Sequence, residues 1–249
     1  MKRPLLLSVL ATACAAGSKG SQEPATLTAP ATAPAMNTLT ASEQSQGWKL
    51  LFDGKTTAGW RGYKMTTMPP AWMAMDGTLM KDKPTEDIVT TQLFSDFDLM
   101  FEWTLSKGGN SGVFYRATEE YNKVYWSATE YQLLDDANHP DGKRDIVKGF
   151  ITSAGTNYGL YPVPKQLAKP AGEWNSSRIV VRGNHVEHWL NGEKAVEYDY
   201  GSPDWNAKVQ ASKFKDWPHY GLAKRGFIAI QGDHTGMLAL RNIKIRELK

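Results

Sequence analysis

Cysteine is almost missing from this chain of 249 residues, which has one, Cys14. A single thiol builds no internal disulfide framework and no cysteine-based zinc site, so a bound metal would have to use histidine and carboxylate ligands. Charge of one sign is also missing. Lys plus Arg number 29 against 26 Asp plus Glu, and two of the three excess bases, Lys2 and Arg3, belong to an N-terminal leader. That balance leaves no electrostatic case for a nucleic-acid partner. The apolar run Leu5 to Leu10 is too short to span a bilayer, and no internal repeat of fixed period is present. Aromatic surface is plentiful instead, with nine Trp, ten Tyr and eight Phe. Once the leader and the polar stretch after it are set aside, roughly 200 residues remain, enough for one large β domain.

The leader has the three parts of a bacterial export signal: Lys2-Arg3, the run Leu5 to Leu10, and Ala11-Thr12-Ala13-Cys14. Cys14 stands where a lipoprotein signal peptidase leaves the first mature residue, so it is the candidate lipidation site. A periplasmic or outer-membrane lipoprotein of a Gram-negative-type bacterium is expected, touching the membrane only through its anchor. Cleavage after an A-x-A-like site, giving a soluble periplasmic protein, is the alternative. Residues 15–46 are Ala, Thr, Pro, Ser and Gln with almost no bulky apolar side chain. They are expected to form a disordered tether, with the folded domain over 47–249.

Past Trp48 the chain breaks into about a dozen short runs of alternating, β-branched or aromatic residues. Examples are Asp98 to Leu105, Ser111 to Arg116, Glu130 to Leu134, His185 to Leu190 and Leu238 to Glu247. Turn pairs such as Asp53-Gly54, Asp76-Gly77 and Asn191-Gly192 separate them. The pattern is all-β and reads as an antiparallel sandwich. A long loop from Asp135 to Trp174 and a short helical insertion over Asn206 to Lys215 interrupt it.

Alternation sorts the polar residues. Leu99, Phe101, Trp103 and Leu105 share one face, leaving Glu102 on the other; Glu130 and Gln132 share a face opposite Tyr131 and Leu133. A carboxylate and an amide two apart among aromatics suit a carbohydrate cleft, where hydroxyls meet polar groups and C–H faces meet rings. Solvent-facing glutamates on an exposed sheet explain the same pattern. Arg116 shares the periodic face of Gly112 and Phe114, which does not establish which face lines a cleft. The long loop, with His139 and Tyr158, and the turn Gln231-Gly-Asp-His-Thr-Gly236 add weight to a site, since long ordered loops are usually functional. His234 beside Asp233 is a candidate general base.

Several spaced segments then fall in a recognisable order: Trp48-Lys-Leu-Leu-Phe-Asp-Gly-Lys55, Gly109-Asn-Ser-Gly-Val-Phe-Tyr-Arg116, Glu130-Tyr-Gln-Leu-Leu-Asp-Asp136, Pro170-Ala-Gly-Glu-Trp-Asn175, Gly183 to Gly192 and Arg241 to Ile245. The chain resembles the 3-keto-disaccharide hydrolase family. The resemblance implies a concanavalin A-like jelly-roll β-sandwich of two antiparallel sheets, with a sugar cleft on a concave face. Gly232, between Gln231 and Asp233, departs from the family's shorter turn.

The resemblance also implies a chemistry. A ketone at C3 acidifies the C2 proton and places the glycosidic oxygen β to the carbonyl, so a base can drive elimination of the aglycone before water adds. Such a site needs a base at C2, an acid for the leaving group and a donor or cation at the C3 oxygen. The catalytic candidates are Glu130, Glu102, His234 and Asp135. Asn110, Arg116, Gln132, His139, Tyr158, His188 and Gln231 are candidates for binding an oligosaccharide or glycoside, Arg116 and His188 also for the oxyanion. A divalent cation held by some of these groups is an alternative to a protein donor. Direct hydrolysis by an ordinary jelly-roll glycosidase and sugar binding without catalysis, as in a lectin-like module, are the competing readings.

Overall fold

The computed structural model describes residues 35–249. The leader, Cys14 and the lipidation expected there lie outside the described residues. Thirteen strands form two antiparallel sheets among the described residues. In chain order they are β1 (Lys49–Leu50), β2 (Trp60–Gly62), β3 (Met73–Met75), β4 (Thr78–Lys81), β5 (Ile88–Thr90), β6 (Phe97–Leu105) and β7 (Asn110–Ala117). There follow β8 (Thr129–Leu134), β9 (Asn175–Arg182), β10 (His185–Leu190), β11 (Glu193–Asp199), β12 (Phe227–Ile230) and β13 (Leu238–Glu247). The larger sheet runs β11-β10-β9-β6-β13-β4-β3, with β1 also paired to β13, and the smaller runs β2-β5-β12-β7-β8. The expected β-sandwich is what the chain forms.

The core lies between the sheets and follows period-two alternation. Leu99, Phe101, Trp103 and Leu105 from β6 meet Val113 and Tyr115 of β7 and Tyr131 and Leu133 of β8 in one buried cluster. Burying a side chain of this size contributes about 1.5–3 kcal/mol each, so the β6 face alone fixes which way that strand turns. The β8 register (Gly112 opposite Gln132, Phe114 opposite Glu130) places Glu130 and Gln132 on the face of the smaller sheet turned away from the larger one.

Two expectations need correction. The stretch 135–174 is not all loop, because Pro140–Lys148 is a helix, α2 below. His139 caps it by accepting Asp141 N–H on Nδ1 (3.1 Å), and Pro140 enters its first turn, where no N–H is needed. Part of the stretch expected as tether, residues 37–46, is structured as well. Ala41–Ser45 is a helix, α1, with a reciprocal capping box between Thr40 and Glu43. Asn37 is buried and exchanges two hydrogen bonds with Asn242 on β13 (2.7 and 2.8 Å). The expected insertion is present as Pro203–Gln210, α3, followed by a 3-10 turn over Lys213–Asp216.

Candidate active site

Loops on the outer face of the smaller sheet enclose a cleft of about 240 Å³. Glu130 and Gln132 of β8 and Asn110 of β7 form its floor, with Gln231 following β12. Asp233 and His234 come from the polar turn, Asp141 from α2, Tyr158 from the loop beyond it, Tyr125 from the 3-10 turn Val124–Trp126 and Lys213 from the insertion.

Glu130 is buried, 8% exposed. With its amide oriented to satisfy both ends, Gln132 donates from Nε2 to Glu130 Oε1 (2.9 Å) and to the Ser111 carbonyl (3.1 Å). Burial pushes the Glu130 carboxyl up to about 8, against the opposing pull of Lys213, with Asp87 and Asp233 reinforcing the rise. Its side chain lies across β7 at Gly112, where a Cβ would come within 2.2 Å of Glu130 Oε1. Only glycine leaves that space open.

His234 takes the opposite shift. Burial lowers its pKa, and His139 and Lys81 add to the lowering, while Asp233 opposes it with a carboxylate 3.8 Å from Nε2. The turn that carries His234 is pinned from beneath. Buried Lys81 donates to the carbonyls of His234 (2.6 Å) and Gly236 (3.1 Å), and Gly232 N–H donates to Asp87 (2.8 Å). A Cβ on Gly232 would stand 2.4 Å from the Glu86 carbonyl, so this position of the turn takes only glycine without a shift of the backbone. Tyr158 hydrogen-bonds through its backbone N–H to the Glu130 carbonyl (3.1 Å). Burial, followed by the nearby Glu130, raises its phenol to about 12, keeping it a hydroxyl donor. The Lys213 ammonium lies 4.6 Å from the centre of the Tyr158 ring. The cleft thus sets a carboxyl raised to about 8 beside an imidazole lowered from its ordinary value and a raised phenol, a set suited to moving one proton onto a leaving oxygen and another off carbon.

The conserved-domain model of the 3-keto-alpha-glucoside-1,2-lyase-like domain matches residues 47–246, most of the chain. The protein belongs to that family. A 3-keto-disaccharide hydrolase from Bacteroides thetaiotaomicron is 36% identical over 242 residues, covering 86% of this chain and 82% of the relative. Among solved structures, a candidate glycosyl hydrolase from Parabacteroides distasonis superposes with a TM-score of 0.77 at 32% identity, covering 86% of this chain and 100% of that one. A second from the same organism gives 0.66 at 30% identity, covering 81% and 99%. Membership in the 3-keto-alpha-glucoside-1,2-lyase-like family makes the protein a carbohydrate-active hydrolase.

Six of the residues picked from sequence converge on this family member's cleft: Asn110, Glu130, Gln132, Tyr158, Gln231 and His234. Two support its wall. His139 caps the helix that delivers Asp141, and Asp135 accepts from Gly108 N–H (2.7 Å) and Asn138 Nδ2 (2.8 Å), tying the turn before β7 to the chain after β8. Three lie elsewhere. Glu102 is on β6 of the larger sheet, bonded to Arg241 (2.7 Å). Arg116 turns away to Asp96 and the carbonyls of Ser95 and Gly183, because an extra residue in β7 opposite β12 puts it at φ 53° and breaks the alternation. His188 is fully buried in the core, bonded to the Tyr115 hydroxyl (2.7 Å) and the Gly155 carbonyl (3.0 Å). Burial lowers its pKa to about 3, so it is a neutral packing residue.

Sequence reasoning did not single out Tyr125, Asp141 or Lys213, and it treated Asp233 only as a neighbour of His234. The ligand atoms of His185, Glu187 and Glu197 lie within 4.8 Å of one another, but on β10 and β11 of the larger sheet. There Lys194 bridges the two carboxylates at 2.8 and 2.5 Å, so the group is an ion-pair network on the sheet opposite the cleft.

Proposed function

We propose that the protein hydrolyses 3-keto-glycosides by elimination and hydration, with His234 and Glu130 as the base and acid. The observation that carries this reading is the pair of opposed shifts in one cleft, carboxyl up to about 8 and imidazole down. Neutral His234 takes the C2 proton, and the electron pair moves onto the C3 oxygen, where the Lys213 ammonium and the Tyr158 hydroxyl hold the charge. The enolate then collapses, the C1–O bond breaks, and Glu130 gives its proton to the departing oxygen. Water adds at C1 of the resulting enone with loss of its proton to the Glu130 carboxylate, and the imidazolium returns a proton to C2. Both side chains end as they began. A pair of donors aimed at the developing oxyanion is typically worth about 3–4 kcal/mol per donor, and positioned proton transfer about 10²–10⁴-fold. An unoxidised glycoside has no acidic C2 proton and gains from neither.

The test uses a 3-keto-glucoside deuterated at C2 beside the parent glucoside. Aglycone release with a primary isotope effect, confined to the keto substrate, is expected. Cleavage of the parent glucoside at a comparable rate, or keto-substrate cleavage insensitive to deuterium at C2, would overturn the reading in favour of direct hydrolysis.

A further inference from the structure

Asp87, just before β5, is a buried carboxyl, 7% exposed, that does not line the cleft. The strand register nevertheless turns it toward the cleft side of the smaller sheet. Ile88, Ile230, Val113 and Tyr131 stand opposite one another across β5, β12, β7 and β8, and all four join the core between the sheets. One residue further along, Asp87, Gln231, Gly112 and Gln132 make the next row, which period two turns outward. Gly112 has no side chain, and Glu130 Oε1 fills its place in that row. Two strand spacings, about 10 Å, then separate the Asp87 position from that carboxyl. Asp87 Oδ1 also accepts the Gly232 N–H (2.8 Å), and the Gly232 carbonyl accepts from the Thr85 N–H (3.0 Å), so the segment leading into β5 holds both backbone groups of Gly232. His234 follows two residues later.

We propose that Asp87 is a positioning residue for both the base and the acid: its carboxylate anchors the turn that carries His234 and sets a fixed negative charge behind Glu130. The inference rests on the acid–base reading of the cleft. A negative charge in the same row makes the Glu130 proton harder to lose, because the carboxylate formed there is repelled, and neither group is exposed enough for solvent to screen the other. Burial is the chief cause of the raised Glu130 carboxyl, Lys213 opposes it, and of the two carboxylates that add to it Asp87 contributes more than Asp233. The charge has to be present when Glu130 titrates. Burial raises the Asp87 carboxyl to about 6, with the Gly232 N–H pulling against the rise, so Asp87 is ionised through the range around 8 in which Glu130 gives up its proton. Asp233 and Glu86 add to the Asp87 rise and Lys123 opposes it, and Lys81, Tyr63 and Tyr125 also feel its charge. Tyr125, Tyr158 and Tyr220 are the phenols that feel Glu130.

Two substitutions separate the anchor from the charge. Asp87→Asn keeps an oxygen for the Gly232 N–H and removes the charge, whereas Asp87→Ala removes both. NMR of the free proteins, with glutamate carboxyls and backbone amides isotope-labelled, follows Glu130 and Gly232. In Asp87→Asn the Glu130 titration moves down by about one pH unit, the scale of a unit charge at this separation in a medium of effective dielectric about 20, while the Gly232 amide stays protected from hydrogen exchange. In Asp87→Ala that protection is lost as well. On a 3-keto-glucoside the alkaline limb of kcat/KM lies about one pH unit lower in both variants, and Asp87→Ala is slower by a further factor of about 10² at its optimum, the scale of a displaced catalytic group. An unmoved Glu130 titration in Asp87→Asn would overturn the charge, and a Gly232 amide equally protected in both variants would overturn the anchor. Asparagine is nearly the size of aspartate, so a fold lost in Asp87→Ala alone still leaves the charge decided. The NMR measurements need no substrate and judge Asp87 even if no 3-keto-glucoside is turned over. Turnover with an unmoved titration removes the charge from Asp87 and leaves the reading of Glu130 and His234 standing.

Discussion

Gly112 and Glu130 are fitted to each other across neighbouring strands, since the space a Cβ on Gly112 would occupy is taken by Glu130 Oε1, 2.2 Å away. Gly112→Ala must therefore push the carboxylate off the floor or spread β7 from β8. Overpacking of this kind costs about 1–3 kcal/mol, and a displaced acid about 10²-fold in rate. The expected outcome is a protein that still folds, with a urea midpoint modestly lowered and kcat/KM on a 3-keto-glycoside down by about two orders of magnitude. Unchanged kinetics would show that Glu130 has no fixed position to lose.

The pH dependence follows from the two opposed shifts. With Glu130 near 8 and protonated when active, kcat/KM falls above about pH 8; with His234 below its ordinary value of 6.5, the acid limb lies below that value. Stability has its own sign. Between the ordinary carboxyl value of 4.5 and about 8, folded Glu130 holds its proton while the unfolded one has lost it. The native state then binds more protons, so stability declines as pH rises through this window, by up to about 5 kcal/mol. Glu130→Gln removes that slope. Its urea stability relative to wild type should be level below pH 4.5 and increasingly favourable toward pH 8, while activity drops about 10²–10⁴-fold. A difference that stays flat across pH 5 to 8 would show the carboxyl is not desolvated.

Lys81 supports His234 without touching the cleft. It is 1% exposed and its ammonium serves two carbonyls of the His234 turn. Lys81→Met leaves both unpartnered, at a cost of about 1–3 kcal/mol. It also takes away a charge that lowers the His234 pKa, so the acid limb of kcat/KM should move to higher pH. A variant destabilised as expected but with an unmoved acid limb would make Lys81 a structural residue only.

The sequence made the sandwich legible because burial enforces period two. Leu99, Phe101 and Trp103 could face only one way, and the same alternation put Glu130 and Gln132 together. Alternation also carried a warning that the motif reading passed over: His188 shares its strand face with Val186 and Leu190, and all three are buried. Arg116 was misread for the reverse reason, because one extra residue in β7 cancels the period from which its face was inferred. Tyr125, Asp141 and Lys213 left no local trace. Each comes from a short helical segment whose position over β8 is set by loop docking, and the polar Pro140–Lys148, with Gly142 inside it, hides its helix from periodicity. The N-terminal boundary failed similarly, since residues 37–46 carry one bulky apolar side chain, Leu39, and dock mainly through polar contacts.

That docking gives a prediction that separates the domain from its leader. Asn37 and Asn242 bond reciprocally through backbone N–H and side-chain oxygen, Asn37 Nδ2 donates to the Gly77 carbonyl (2.9 Å), and Glu43 pairs with Lys244. Asn242 has φ 52° within the register shift of β13, so its N–H is free of the ladder and Asn37 is its partner. A chain beginning at residue 47 loses all of these contacts, whereas one beginning at residue 35 keeps them. With net hydrogen bonds at about 1 kcal/mol each and buried unpaired groups costing more, the shorter chain should be less stable by about 2–4 kcal/mol in urea. Asn37→Ala in the longer chain should reproduce much of that loss. Because the cleft lies on the other sheet, kcat/KM under native conditions should be the same for both chains. Equal urea midpoints would place the start of the domain at Gly47 after all.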